Sequence, residues 1–177
     1  MNIYERLDKI LPKIMEERFR KNKGLGNEIG YYIFDYDPKD EMLVREHISF
    51  LKQKVNVEDS EITIKEFNLY DIMTKVLEEK GYLEKVFSME EQKGTENILN
   101  PIKNTLRLTQ SNDMIVDYIK ENTRENDVVF LTGVGNAWPV IRSHTVLNSL
   151  HAAIDQVPLV MFFPGTYDGL ELKLFDE

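Results

Sequence analysis

The sequence predicts an α/β fold: a three-layer sandwich with a mostly parallel central sheet, helices on both of its faces and one antiparallel edge strand. Two observations predict it. Short apolar runs with strand character alternate along the chain with amphipathic stretches of helical spacing. The run PLVMFF at 158–163 is apolar throughout, which is typical of a central strand that is covered on both faces.

The chain is predicted to begin with a helix that packs on the rest of the protein. Apolar residues between Ile3 and Met15 recur at helical spacing within residues 1–22. Pro12 lies inside this stretch, and because it has no amide N–H and clashes with the preceding turn, we expect the helix to be kinked or split. Residues 23–30 contain three glycines and are predicted as a loop.

A strand, a helix and a second strand follow. The apolar run GYYIFD at 30–35 is predicted as the first strand. After it, Asp37 is suited to cap a helix, and Pro38 is suited to the first helical position. An apolar stripe carries this helix to about residue 55. The alternating run ITIKEF at 62–67 is predicted as the second strand.

The middle of the chain is predicted to be helical. Asn68 is a candidate N-cap for the first helix, and Gly81 is suited to its end because glycine adopts the left-handed conformation. Shorter helices are predicted at 82–89, 98–109 and 113–122 from their apolar spacing.

The last part of the chain returns to strands. The apolar run DVVFLT at 127–132 is predicted as a strand that leads into a glycine loop at 132–136. A helix is expected from Pro139 to about residue 154. The strand at 158–163 follows, and the alternating residues 170–175 are predicted as the edge strand.

Length and composition limit the possible classes of protein. The 177 residues fit one α/β domain, and the abrupt end after the last predicted strand suggests that a C-terminal extension is absent. The absence of cysteine excludes disulfides, thiolate catalysis and cysteine metal sites. No apolar segment is long enough for a membrane span or a signal peptide, so we expect a cytoplasmic protein without membrane contact.

The charge of the chain argues against direct binding to nucleic acid. The formal net charge is −9, which repels DNA phosphates. The densest basic stretch, between Arg18 and Lys23, is better explained as a solvated helix end.

In a parallel α/β sheet, ligands bind where strands end and helices begin. Three predicted loops lie there, and they contain Asp35 and Asp37, residues 132–136, and residues 164–169. The last of these is the expected exposed recognition loop. Asp35, Asp37 and Asp168 could together hold Mg²⁺, but the favoured interpretation is that Asp37 caps a helix and Asp168 shapes a turn. No metal or cofactor is therefore predicted.

The glycine loop TGVGN resembles half of a phosphate-binding loop. Gly133 and Gly135 could direct backbone N–H groups at a phosphate, and Arg142 could lie near it. However, the loop lacks the lysine and hydroxyl residue of a Walker A motif, and Trp138 stands where the dinucleotide motif needs a glycine. A tight strand-to-helix turn is the favoured interpretation, and nucleotide or phosphate binding is the alternative.

The residues RSHT at 142–145 do not form a complete catalytic set. His144 and His151 are seven residues apart on one helix, about 10 Å along its axis, which is too far to share an ion. Ser143 lacks the strained elbow of serine hydrolases, and His144 is better explained as a hydrogen-bonded packing residue. We therefore predict no catalytic residue. The candidates for binding a partner or ligand are Asp35, Asp37, Gly133, Gly135, Trp138, Arg142, His144, Tyr167 and Asp168.

Several stretches together resemble the BREX phage-defence protein BrxB family. They are KGLGNE at 23–28, YYIFDYDPKDE at 31–41, FNLYDI at 67–72, VVFLTGVGNAWPVIRSHTVLNSL at 128–150 and PLVMFFPGTYDGLELKLF at 158–175. The combination of LTGVG, RSHT and FFPGTYDG is long and particular. Members of this family usually continue beyond the LKLF stretch, so the end of this chain departs from the pattern.

The resemblance implies a soluble component of a bacterial phage-defence complex. It implies association with a BrxC-type ATPase and a PglZ-type protein, and it implies no defined catalytic mechanism. The function expected from sequence is therefore a non-catalytic adaptor. The alternative is a nucleotide- or phosphate-binding domain with a weak or regulatory enzymatic role.

Overall fold

The computed structural model describes residues 1–17, 19, 31–57, 61–94, 98–108, 110–111, 113–154, 156–167 and 172–174. The strands are β1 (Tyr31–Tyr36), β2 (Thr63–Asn68), β3 (Asp127–Thr132), β4 (Leu159–Tyr167) and β5 (Leu172–Leu174). The first helices are α1 (Ile3–Asp8), α2 (Ile10–Met15) and α3 (Glu41–Val55), the last preceded by a 3₁₀ turn at Pro38–Asp40. They are followed by α4 (Leu69–Glu79), α5 (Leu83–Lys93), α6 (Leu99–Leu106), α7 (Met114–Glu121), α8 (Val134–Ala137) and α9 (Ser143–Ala153).

The sheet has the strand order β1-β4-β3-β2, and β5 pairs with the end of β4. β4 runs parallel to both β1 and β3, with Ile33 and Leu131 each in register with Met161. β5 is antiparallel to β4, with Gly165 opposite Leu174. The predicted fold class, an α/β sandwich around a mostly parallel sheet with one antiparallel strand, is confirmed.

The central strands are buried on both faces, as the continuous apolar runs predict. Side chains at alternate positions, including Phe130 and Phe162, pack in a core with residues of α1, α2 and α3. The rings of Phe130 and Phe162 meet edge to face with centroids 5.0 Å apart, a favourable geometry for aromatic pairs. On the opposite face Leu131, Met161 and Phe163 are also buried.

Contacts divide the chain into two compact units. The sheet unit comprises Met1–Glu66, Thr123–Thr132 and Ile154–Glu177. The helical unit comprises Phe67–Asn122 and Gly133–Ala153. The expectation of one domain over residues 1–177 stays a prediction.

The N-terminal segment is split, as Pro12 predicts. The break falls at Lys9, between α1 and α2, and Pro12 lies in the first turn of α2, where its missing N–H has little effect. Leu7, Ile10 and Ile14 are buried in the core of the sheet unit. The predicted glycine loop at 23–30 lies outside the described residues.

Two predictions near the end of the chain were wrong. The helix expected from Pro139 begins only at Ser143, because residues 138–142 form a turn that includes a cis Trp138–Pro139 bond. The loop expected at 164–169 is strand as far as Tyr167, because β4 continues and pairs with β5.

Candidate functional site

Asp35 lies at the carboxyl end of β1, where the sequence predicts a binding group, but its oxygens are engaged within the sheet unit. Arg6 of α1 donates from one guanidinium nitrogen to the Asp35 carboxylate at 2.9 Å and to its backbone carbonyl at 2.6 Å. The other carboxylate oxygen accepts from the Tyr167 N–H at 3.1 Å. Asp35 therefore joins α1, β1 and the end of β4, and it brings Tyr167 to the end of β1.

Asp37 caps a helix, as predicted. Its carboxylate accepts from the Lys39 N–H at 3.0 Å at the start of the 3₁₀ turn. Asp168 lies outside the described residues. Within the part of the chain that the structure describes, no three acidic or histidine side chains converge as a metal site would require.

A chain of polar side chains on the sheet unit was missed by sequence reasoning. The Thr132 hydroxyl at the end of β3 donates to one carboxylate oxygen of Glu66 in β2 at 2.7 Å. Lys52 of α3 donates to the other oxygen at 3.0 Å. Each carboxylate oxygen of Glu66 thus accepts a hydrogen bond. These two bonds offset the free-energy cost of partly burying the charge. The three residues are far apart in sequence, so no local sequence pattern could reveal that their side chains are hydrogen-bonded to one another.

A tyrosine–glutamate pair lies at the beginning of α3. The buried Tyr36 hydroxyl donates to the Glu41 carboxylate, which also accepts from Arg45 at 2.9 Å. Burial, together with the hydrogen bond to Glu41, raises the pKa of Tyr36 far above its usual value. Tyr36 therefore stays protonated at neutral pH and is unsuited to act as a base.

The glycine loop is shaped by close approach to Asn68 within the helical unit. Gly133 has φ +67°, and a Cβ added there would lie 2.0 Å from the Asn68 amide oxygen. That oxygen caps α4 by accepting from the Asp71 N–H at 3.1 Å. Asn68 thus occupies the space beside the first glycine, which favours the tight-turn interpretation over a phosphate cradle. Gly135 lies within the one-turn helix α8.

Two candidate residues near the start of α9 are exposed. Trp138 is 50% exposed. His144 is exposed, and its Nε2 atom lies 3.5 Å from the neighbouring Thr145 hydroxyl. The interpretation of His144 as a packing residue was wrong, because Ser143, Val146 and Leu150 form the buried side of α9.

Arg142 faces a cavity of about 370 Å³ in the helical unit. Residues of α6, of the segment that follows it, of the start of α7 and of residues 140–146 line this cavity. Sequence reasoning identified Arg142 but missed Asn100, Lys103 and Asn104 on α6. Their i, i+3 and i+4 spacing places them on one helix face, and that is the signal that could have found them.

Comparison with known proteins identifies the family. The family model described as BREX protein BrxB matches residues 65–177. A Bacillus cereus (strain H3081.97) relative named BREX protein BrxB is 62% identical over 175 residues, which span 99% of this chain and 91% of the relative. The chain belongs to the BrxB family. A BREX protein BrxB of Escherichia coli O9:H4 (strain HS) is 38% identical over 168 residues, spanning 95% of this chain and 82% of that protein.

No solved structure matches the chain significantly. The resemblance inferred from the sequence stretches is confirmed. As a member of the BrxB family the chain is a BREX component, which supports a role in phage defence. Within the described residues, no helix is long and apolar enough to cross a membrane.

Proposed function

We propose that the chain is a non-catalytic adaptor of a cytoplasmic BREX complex and that it binds a BrxC-type ATPase and a PglZ-type protein. The observation that carries this proposal is the contrast between two groups of candidate residues. The carboxylates of Asp35 and Asp37 accept hydrogen bonds within the fold, whereas the aromatic candidates Trp138 and Tyr167 leave large apolar side chains exposed.

Large aromatic side chains suit an adaptor. Trp138 is 50% exposed and Tyr167 is 39% exposed. Tryptophan and tyrosine are enriched among the residues that dominate binding energy at protein interfaces, because they bury much area with few rotatable bonds. A specific partner surface is expected to bury at least about 1,000 Å² in total.

Co-purification tests the proposal. Tagged wild-type chain is co-expressed with the other proteins of its BREX gene cluster, and the recovered proteins are identified by mass spectrometry. Trp138→Ala and Tyr167→Ala are expected to weaken recovery of a BREX partner and to reduce phage restriction. If either residue is central, its loss weakens binding by about 30-fold or more.

The matched control is Phe87→Ala. Phe87 is an exposed aromatic residue of α5 that we do not assign to a partner surface, so its truncation is expected to leave recovery unchanged. Circular dichroism verifies that each variant is folded. Recovery of no BREX protein by the wild-type chain, or unchanged restriction in both folded variants, would contradict the adaptor role.

A further inference from the structure

The cavity beside Arg142 has the dimensions of a small-molecule site. Its volume of about 370 Å³ falls at the lower end of the range for ligand pockets, which is roughly 300–1,000 Å³. All of its lining residues belong to the helical unit.

Two cations line the cavity. The Arg142 guanidinium belongs to the turn before α9, and the Lys103 ammonium comes from α6. In the part of the chain that the structure describes, no carboxylate forms a salt bridge with either of them. Neither cation is neutralised by such a pair among the described residues, so both are available to an anion that enters the cavity.

The carboxylate that lines the same cavity serves the backbone. Asp113 is buried at the N-cap of α7, and one of its oxygens accepts from the Ile115 N–H at 2.9 Å and the Val116 N–H at 3.1 Å. These hydrogen bonds satisfy first-turn donors of α7 and disperse part of the negative charge. The first turn of α9, which contributes Thr145 to the lining, adds the positive end of an 11-residue helix.

The rest of the lining is divided between amides and apolar side chains. Asn100 and Asn104 of α6 offer hydrogen-bond donors and acceptors, while Leu108, Ile115 and Ile141 offer apolar surface. Arg107 adopts the left-handed conformation, with φ 56° and ψ 38°, and thereby turns the chain from α6 toward Leu108. A left-handed residue is a common way for a helix to end, and here it sets the position of Leu108 in the cavity wall.

We propose that this cavity binds a small organic oxyanion, with its phosphate or carboxylate held by Arg142 and Lys103 and its uncharged part against the amide and apolar wall. Guanidinium groups bind both kinds of oxyanion through paired hydrogen bonds. The site differs from the glycine loop at 132–136, and it is independent of the adaptor role, because a chain that recovers no partner could still bind the anion.

Heteronuclear NMR of the whole chain tests the site. Inorganic phosphate, adenosine 5′-monophosphate and succinate are titrated at constant ionic strength, with uncharged adenosine as the matched probe. We expect saturable amide shifts confined to residues 100, 102–104, 108, 110, 113–115 and 140–146. Saturation by the phosphate-bearing probes identifies a phosphate ligand, and saturation by succinate identifies a carboxylate.

Charge-removing variants distinguish the site from general attraction of anions. Arg142→Gln and Lys103→Gln are each expected to weaken the saturable binding at least about tenfold, because each removes a charge-assisted hydrogen bond. Arg124→Gln removes an exposed arginine of the sheet unit and is expected to bind as the wild type does. The proposal is wrong if no anion saturates, if adenosine binds equally well, or if a folded variant that carries both Arg142→Gln and Lys103→Gln keeps the shifts.

Discussion

At Gly133 two physical requirements coincide. The backbone has φ +67°, which is costly for any residue with a Cβ, and the Asn68 amide fills the space where that Cβ would lie. The same amide oxygen caps α4. The glycine is therefore explained by the structure around it, without a bound phosphate.

Gly133→Ala is expected to lower the free energy of unfolding by about 2–3 kcal/mol, from backbone strain together with displacement of the cap. Asn68→Ala alone is expected to cost about 1 kcal/mol, because it removes only the cap. The double variant should be less destabilised than the sum, since the cap is lost once and the clash is absent. Urea denaturation measures all three, and strict additivity would show that Asn68 and Gly133 are not coupled.

His47 gives the stability a dependence on pH. Burial lowers the pKa of His47 below its usual value of about 6.5, and nearby Asp8 and a hydrogen bond to the Leu7 backbone oppose this only in part. Its Nε2 atom is buried and has no hydrogen-bond partner among the residues that the structure describes. The folded protein therefore favours the neutral ring.

Because the folded-state pKa lies below the unfolded value, the unfolded chain takes up this proton at higher pH than the folded chain. The neutral His47 ring therefore makes its full contribution to the free energy of unfolding above about pH 6.5. That contribution is lost as the pH falls through the folded-state pKa. We measure the unfolding temperature between about pH 8 and pH 5.5. As the pH falls, this temperature should decline less steeply in His47→Gln than in the wild type. His144→Gln is the matched control, because it removes an exposed histidine and leaves His47 in place.

At the scale of secondary-structure elements, β2 is the last strand in the order β1-β4-β3-β2, so one of its sides faces β3 and the other is an edge. The Asn56 side chain covers part of that edge. The Thr63 N–H points toward β3 and donates to the Asn126 carbonyl at 3.1 Å. Because successive N–H groups of a strand point to opposite sides, the Ile64 N–H points away from β3. Asn56 accepts from that Ile64 N–H at 2.7 Å and donates to the Ile64 carbonyl at 2.9 Å. One side chain thus replaces the missing strand at Ile64.

Asn56→Ala should lower the free energy of unfolding by about 1–3 kcal/mol, because it leaves two partly buried backbone groups without partners. Asn56→Asp is expected to be intermediate, since a carboxylate still accepts from the N–H but cannot donate to the carbonyl. Hydrogen exchange at the Ile64 amide should accelerate in Asn56→Ala. Unchanged exchange there would mean that water satisfies the edge equally well.

Helix and strand ends were predictable where a local interaction determines them. Asn68 and Asp113 cap α4 and α7 with bonds to residues only two or three positions ahead, and Gly81 has the left-handed φ of 74° that its position predicts. The continuation of β4 to Tyr167 was not evident from residues 164–167 alone, because these residues pair with β5 and the Tyr167 N–H donates to Asp35, 132 positions away. The late start of α9 likewise follows from the backbone of residues 138–142.

At the scale of the whole molecule, the fold class was predictable and the cavity was not. Alternation of apolar runs and helical stripes is a property of the sequence itself, so it specifies an α/β fold before any contact is known. The cavity beside Arg142 combines α6 with the start of α9, more than 30 positions away, and no local pattern encodes that approach. The sequence indicated Arg142 for a phosphate at the glycine loop, whereas in the structure it lines a cavity to which Lys103 also contributes.

The net charge of the whole chain leads to a prediction about nucleic acid. A charge of −9 opposes binding to a polyanion, and two cations at one small cavity cannot follow a phosphate backbone. We expect no mobility shift of a short DNA duplex at about 20 mM salt with up to about 20 μM protein, conditions that detect nonspecific binding by basic proteins. The basic residues Arg18, Arg20, Lys21 and Lys23, all outside the described residues, are where an exception would arise. If a shift does appear and is abolished by Lys21→Gln with Lys23→Gln, but not by Arg142→Gln, then those residues bind DNA despite the charge of the whole chain.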